Sequence, residues 1–150
     1  MDAIDRKILA TLQKNARASL QEIGQAVGLS TSPCWERIRK MEQAGVIEGY
    51  TVRLNGPSLG WQDTVLVQVT LDSHSDNTLE KFGETLGAIP EVVEAYLVSG
   101  EYDYLLRVAV KDTRDYERLL RERLYTIPGI RHSKSSFVLR TLKKVDTPLT

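Results

Sequence analysis

Residues 19–45, SLQEIGQAVGLSTSPCWERIRKMEQAG, decide how the first third of the chain folds. Leu20, Ile23 and Val27 recur at the spacing of one helix face, and the pattern breaks at Gly28. Ser19 with Glu22 makes a capping box, in which each side chain satisfies a free backbone N–H of the first turn. Glycine enters the left-handed region without a Cβ penalty, so Gly28 ends this helix, and Leu29 lands just beyond the break, able to pack back between helices. The pattern then restarts. Ser30 or Ser32 can cap the next helix, Pro33 is tolerated in its first turn, and Cys34, Ile38 and Met41 give it one buried stripe. Thr31, Ser32, Trp35, Glu36, Arg39 and Lys40 mostly face away from that stripe. Two helices joined by a short glycine-containing turn, the second with a donor-rich outer face, form a helix-turn-helix.

Upstream, Asp2 stands where an N-cap belongs, ahead of Ile4, Ile8 and Leu12, with Leu9 widening the stripe. Downstream, Gly45 closes the third helix and VIEGYTV, 46–52, has the composition of a short strand, which would make the unit winged-helix-like. Residues 1–53 carry eight Lys and Arg against six Asp and Glu, a net of +2, while the whole chain balances 20 against 20. Global charge therefore does not announce a nucleic-acid partner; the cluster Arg37, Arg39, Lys40 is the local signal. Arg39 and Lys40 read alone are ordinary solvated charges. Trp35 shifts the balance, because a large exposed aromatic implies a covering partner, DNA or another subunit. Arg37 borders the buried stripe and can hold either a phosphate or an intramolecular carboxylate.

The 150 residues are 41% hydrophobic and 27% charged, enough for one compact domain or two very small ones. No apolar run is long enough to span a bilayer, and the first residues resemble neither a signal nor a transit peptide. A single cysteine, Cys34, forms no internal disulfide and reads as a small buried hydrophobe, so a cytoplasmic location is expected. With only His74 and His132 and no C-x-x-C, no metal site or other cofactor is expected. There is likewise no G-x-S-x-G and no phosphate-cradling glycine loop.

Residues 53–63, RLNGPSLGWQD, lack periodicity and read as a linker, dividing a first domain (1–52) from a second (64–150). In the second, 64–71 alternates Val65, Val67, Val69 and Leu71 on one face, and Leu79, Phe82, Leu86 and Ile89 follow at helical spacing. Residues 91–100 and 102–111 predict two strands with a tight turn at Gly100 and Glu101. Tyr116, Leu119, Leu120, Leu124 and Ile127 mark a helix, and a strand closes the chain from Ile130. The order β-α-β-β-α-β is that of a ferredoxin-like sheet with two helices on one face, and the repeated AIPEVV and TIPGIR support two half-motifs. The fold class is thus α+β. The uncovered sheet face, to which Val92, Tyr96 and Val98 are assigned, predicts a dimer.

Taken together, DAIDRKILATLQKNAR, VGLSTSPCWERIRKMEQAGVIEGY and SGEYDYLLRVAVKD closely resemble the Lrp/AsnC family of feast/famine transcription regulators, over essentially the whole chain. The resemblance implies a sequence-specific DNA-binding regulator of amino-acid metabolism, cytoplasmic and nucleoid-associated. Its partners would be double-stranded DNA, a small amino-acid effector and further copies of itself, as a homodimer and then an octamer of four dimers; no membrane partner is implied. It puts Thr31, Ser32, Pro33, Trp35, Arg37, Arg39 and Lys40 at the DNA, with Arg39 suited to a guanine edge or phosphate and Lys40 to phosphate. It puts Gly100, Tyr102 and Asp103 beside the effector, with Ser133, Ser135 and Ser136 near them. Asp103 would accept from the ligand ammonium, and the Gly100 turn and serine hydroxyls would donate to its carboxylate. The alternatives for these residues are a turn-stabilising aspartate and a polar solvent face. The alternatives for the protein are a small-molecule sensor acting through protein contacts and a small ferredoxin-like enzyme.

Overall fold

The computed structural model describes residues 1–145 and 147–149, and the chain divides into two units with a separate apolar core in each. The first contains α1 (Ala3–Lys14), α2 (Leu20–Val27) and α3 (Thr31–Gln43). Their apolar faces meet at Ile8, Leu9, Ile23, Cys34, Ile38 and Met41, with Leu29 and Ile47 packed at the margin. Both α1 and α2 open with reciprocal capping boxes, Asp2 with Asp5 and Ser19 with Glu22. At α3 Ser30 occupies the cap position, but its side chain makes no capping hydrogen bond. Gly28 takes φ 75° and ends α2. The turn beyond it is drawn tight by the Gly24 carbonyl, which accepts from the Gly28 and Leu29 N–H groups at 2.8 and 3.0 Å.

The strand expected over 46–52 does not form, so the unit carries no wing strand among the described residues. The backbone N–H groups of Val46 and Ile47 both donate to the Met41 carbonyl, at 2.9 and 3.2 Å, behind Gly45 at φ 69°. They are used in closing α3, and no neighbouring strand offers a ladder. Ile47 joins the helical core instead, and the Tyr50 hydroxyl donates to Glu42 at 2.8 Å. The described C-terminal residues, 143–145 and 147–149, cluster with this unit, although they were expected to belong to the sheet domain. Leu149 packs against the helical core, and Gln13 Nε2 donates to the Thr147 carbonyl at 3.2 Å.

The second unit is built from β1 (Asp63–Leu71), β2 (Val92–Leu97), β3 (Tyr104–Val110) and β4 (Ile130–Phe137), with helices α4 (Asp76–Gly87) and α5 (Thr113–Leu119). The strands form one four-stranded antiparallel sheet in the order β2-β3-β1-β4. This is the ferredoxin-like arrangement. Val65, Val67, Val69 and Leu71 of β1 and Tyr104, Leu106, Val108 and Val110 of β3 are buried against Phe82, Leu86, Ile89, Tyr116, Leu119 and Leu124. The second helix is not regular throughout: Leu120–Leu124 form a π turn, closed by the Tyr125 N–H donating to the Leu120 carbonyl at 2.8 Å.

Assigning Val92, Tyr96 and Val98 to one open face needs correction. A bulge between Val92 and Glu94 shifts the register, so Val92 pairs with Val108 and packs against the helix-covered core. Beyond the bulge Tyr96 pairs with Leu105 and is half exposed on the other face. Val98 lies past the end of β2, its N–H donating to the Asp103 carbonyl at 2.9 Å. One extra residue reverses the facing of everything on one side of it.

Candidate nucleic-acid interface and effector loop

Helix α3 sorts its side chains sharply. Cys34, Ile38 and Met41 are buried, and Thr31, Ser32, Trp35, Glu36, Arg39 and Lys40 are exposed. Pro33 and Arg37 are intermediate. Arg37 is committed within the molecule: its Nη1 lies 2.7 Å from both Asp2 Oδ2 and Asp5 Oδ1. Of the two roles open to it, holding a carboxylate is the one the structure displays. The Asp5 backbone N–H, and after it the Arg37 guanidinium, draw the Asp2 carboxyl down from its ordinary 3.8 to about 2. Arg37 thus fixes the start of α1 against α3, and the outward cations are Arg39 and Lys40. Neither has an ion-pair partner among the described residues; the Arg39 guanidinium lies over the Trp35 ring, its Cζ 5.1 Å from the ring centroid. Beside Glu36, the exposed face combines two hydroxyls, an aromatic ring and two cations without a carboxylate partner, and the hydroxyls and cations are donors that phosphates and base edges accept.

The loop between β2 and β3 runs from Val98 to Asp103, longer than the tight turn expected. Gly100 holds φ 129°, a conformation that favours glycine. Asp103 ties the loop to β1: its N–H donates to the Val69 carbonyl at 2.9 Å, and its Oδ2 accepts the Leu71 N–H at 2.8 Å. Its Oδ1 faces His74 Nε2 at 2.9 Å, a partner the polar run DSHSDN gave no means to anticipate. Asp103 therefore does stabilise the turn, as its alternative role required.

The three serines do not converge. Ser133 pairs with Val69 and Ser135 with Val67, which puts both on the helix side, while Ser136 pairs with Leu66 on the opposite face. The Tyr116 and Ser135 hydroxyls are hydrogen-bonded to each other, and the Tyr125 hydroxyl lies 3.3 Å from that of Ser133. Sequence had placed Tyr116 only in the core; its hydroxyl has this second role at the sheet edge. Because Asp103 and Ser133 flank Val69 from opposite sides, two strand spacings separate them, about 10 Å. Within one chain the loop and the serines are neighbouring features and not a single closed pocket. Among the described residues no group of His, Cys, Asp and Glu could hold a metal ion, and no helix is long and apolar enough to cross a membrane.

Comparison with known proteins agrees with this division of labour. Residues 1–42 match the AsnC-type helix-turn-helix domain, and residues 64–148 match the Lrp/AsnC ligand binding domain. The leucine-responsive regulatory proteins of Klebsiella pneumoniae and Escherichia coli K12 are each 40% identical over 144 residues, covering 96% of this chain and 88% of theirs. Among solved structures, an AsnC family transcriptional regulator from Agrobacterium tumefaciens is 40% identical with a TM-score of 0.93, covering 99% of this chain and 97% of its own. A transcriptional regulator from Neisseria meningitidis in complex with L-Met is 31% identical with the same TM-score and the same coverage. With both domain types matched in order and relatives at this identity along nearly the full length, the chain belongs to the Lrp/AsnC family of transcriptional regulators.

Proposed function

We propose that this regulator reads its operator with the exposed face of α3 and senses an amino acid at the β2–β3 loop, acting in the cytoplasm on genes of amino-acid metabolism and catalysing no reaction. The observation that carries the DNA-binding assignment is the pair Arg39 and Lys40, exposed and unpaired on α3 while the neighbouring Arg37 is neutralised from within. Thr31, Ser32 and Trp35 complete the face; Pro33 shapes its first turn, and Arg37 supports it from behind.

The amino-acid class of effector is supported by the matched ligand-binding domain and by the L-Met bound to the Neisseria relative. A ligand ammonium approaching Asp103 meets a carboxylate with one oxygen already taken by the Leu71 N–H. Oδ1, whose partner is the exposed His74, is the oxygen that an ammonium would share with that imidazole or take from it. The open sheet face, with Tyr96, Leu66 and Leu105, suits an isologous dimer, and dimers would then assemble into octamers. Two copies of α3 in successive major grooves require a roughly palindromic operator.

The test is binding to promoter duplexes across a salt series. Lys40→Ala should weaken all sequences alike and lower the salt slope by roughly one unit. An unchanged slope would remove Lys40 from the phosphates. Thermal shift against the twenty amino acids, with light scattering of the mass, tests the sensor in the same preparation, since a ligand of the native state raises its stability by mass action.

A further inference from the structure

Trp35 and Arg39 stand at i and i+4 on α3, where side chains lie one above the other. The guanidinium carbon is 5.1 Å from the ring centroid, within cation–π range. Trp35 is 48% exposed and is not part of the helical core. No carboxylate pairs with Arg39 among the described residues, so the ring is the contact that limits where this guanidinium points.

We infer that Trp35 is a positioning residue: its ring holds the Arg39 guanidinium so that the in-plane N–H fork is presented to the O6 and N7 of a guanine. The inference rests on the assignment of α3 to the major groove and deepens it. A cation–π contact uses the charge of a guanidinium and takes none of its N–H donors in a hydrogen bond, so the fork that bidentate guanine recognition needs stays available. It also confines a long side chain that would otherwise have to be ordered on binding. Lys40 has no such shelf and carries a compact charge, which suits a phosphate.

The experiment uses the full chain and a duplex selected by it from a random pool. Affinities are measured for wild type, Trp35→Leu, Trp35→Phe, Arg39→Ala and the double variant Trp35→Leu/Arg39→Ala, on the selected site and on versions with each guanine replaced in turn. Arg39→Ala should lose about five- to 150-fold on the selected site and become indifferent to one guanine. Trp35→Leu should lose about two- to fivefold at that same guanine only, with the salt slope unchanged, and Trp35→Phe should recover most of it. In the Arg39→Ala background Trp35→Leu should cost nothing further. If Arg39→Ala has no effect, the groove assignment itself fails. If Arg39→Ala behaves as expected but Trp35→Leu costs the same in both backgrounds, or weakens every sequence alike, Trp35 touches DNA on its own account and the positioning role is overturned.

Discussion

Gly24 shows how one missing methyl group sets the geometry of the helix-turn-helix. A Cβ there would lie 2.4 Å from the Leu29 carbonyl oxygen and 3.7 Å from Cys34 Sγ. In an exposed helix interior, Gly→Ala gains about 1 kcal/mol in helix propensity. Here a backbone oxygen must move, and moving it disturbs the two N–H bonds that close the turn on the Gly24 carbonyl. Overpacking of this kind costs about 1–3 kcal/mol and outweighs the propensity gain. Gly24→Ala should therefore lower the stability of the helical unit in urea and tilt α3 enough to weaken operator binding. Between α3 and the start of α1, Arg37 holds Asp2 and Asp5. Because the Asp2 carboxyl lies near 2 in the folded chain, below its ordinary 3.8, its contribution is complete above about pH 4 and disappears as pH falls toward 2. Asp2→Asn keeps an acceptor for the cap and loses the ion pair, so its stability should fall less steeply over that window than wild type. Glu22, lowered by the Ser19 backbone N–H, leaves a residual slope in both. Acid titration followed by helical circular dichroism checks the difference.

Among the elements, those marked by local chemistry or by alternation were legible from sequence, and what was missed depended on a bulge or on a partner far along the chain. Ser19 with Glu22, Gly28 at φ 75° and the stripe Cys34, Ile38, Met41 each act within a turn or two, and each forms as its spacing implies. The β1 alternation is also local, and all its inward residues are buried. Val92 was misplaced because strict alternation carries no mark of a bulge, and the strand expected at 46–52 was suggested by composition without any strand to pair with. The candidate site divides the same way. The exposed face of α3 follows from period, whereas the Arg37 ion pairs and the Asp103–Leu71 bond join residues 32 or more positions apart. That last bond carries a prediction for the sheet. Asp103→Ala leaves the Leu71 N–H without its acceptor at the end of β1, and losing such a partner costs about 1–3 kcal/mol. Urea unfolding of the sheet unit should show that loss, and Asp103→Asn, which keeps an acceptor, should recover most of it. Affinity for an amino acid found by the thermal-shift screen then separates charge from shape: an Asp103→Asn protein that folds normally yet binds that amino acid as wild type does would show that the carboxylate charge is not the ammonium acceptor.

At the scale of the whole molecule the chain connects its two units twice, through the segment around the turn at Pro57–Leu59 and again through the residues that follow β4. The return connection could not be read from sequence, because Gln13 and Thr147 are separated by 134 positions and the tail has no periodicity of its own. Leu149 is partly buried against the helical core, and full burial of a leucine is worth about 1.5–3 kcal/mol, so its share is about 1 kcal/mol. Residues that follow the last strand of the sheet thus pack on the helical unit, a second covalent link between the two units besides the linker. Leu149→Ser should destabilise the helical unit by about 1 kcal/mol and leave the sheet unit unchanged. Hydrogen exchange resolves the two: amides of Ile8, Leu9 and Ile38 should exchange about fivefold faster, while those of Val67 and Leu106 keep their wild-type rates. Equal protection at Ile8 and Ile38 in variant and wild type would mean that the tail rests on the helices without stabilising them. Faster exchange in both units would instead mean that the two cores unfold together, and that the tail supports the molecule as one cooperative body.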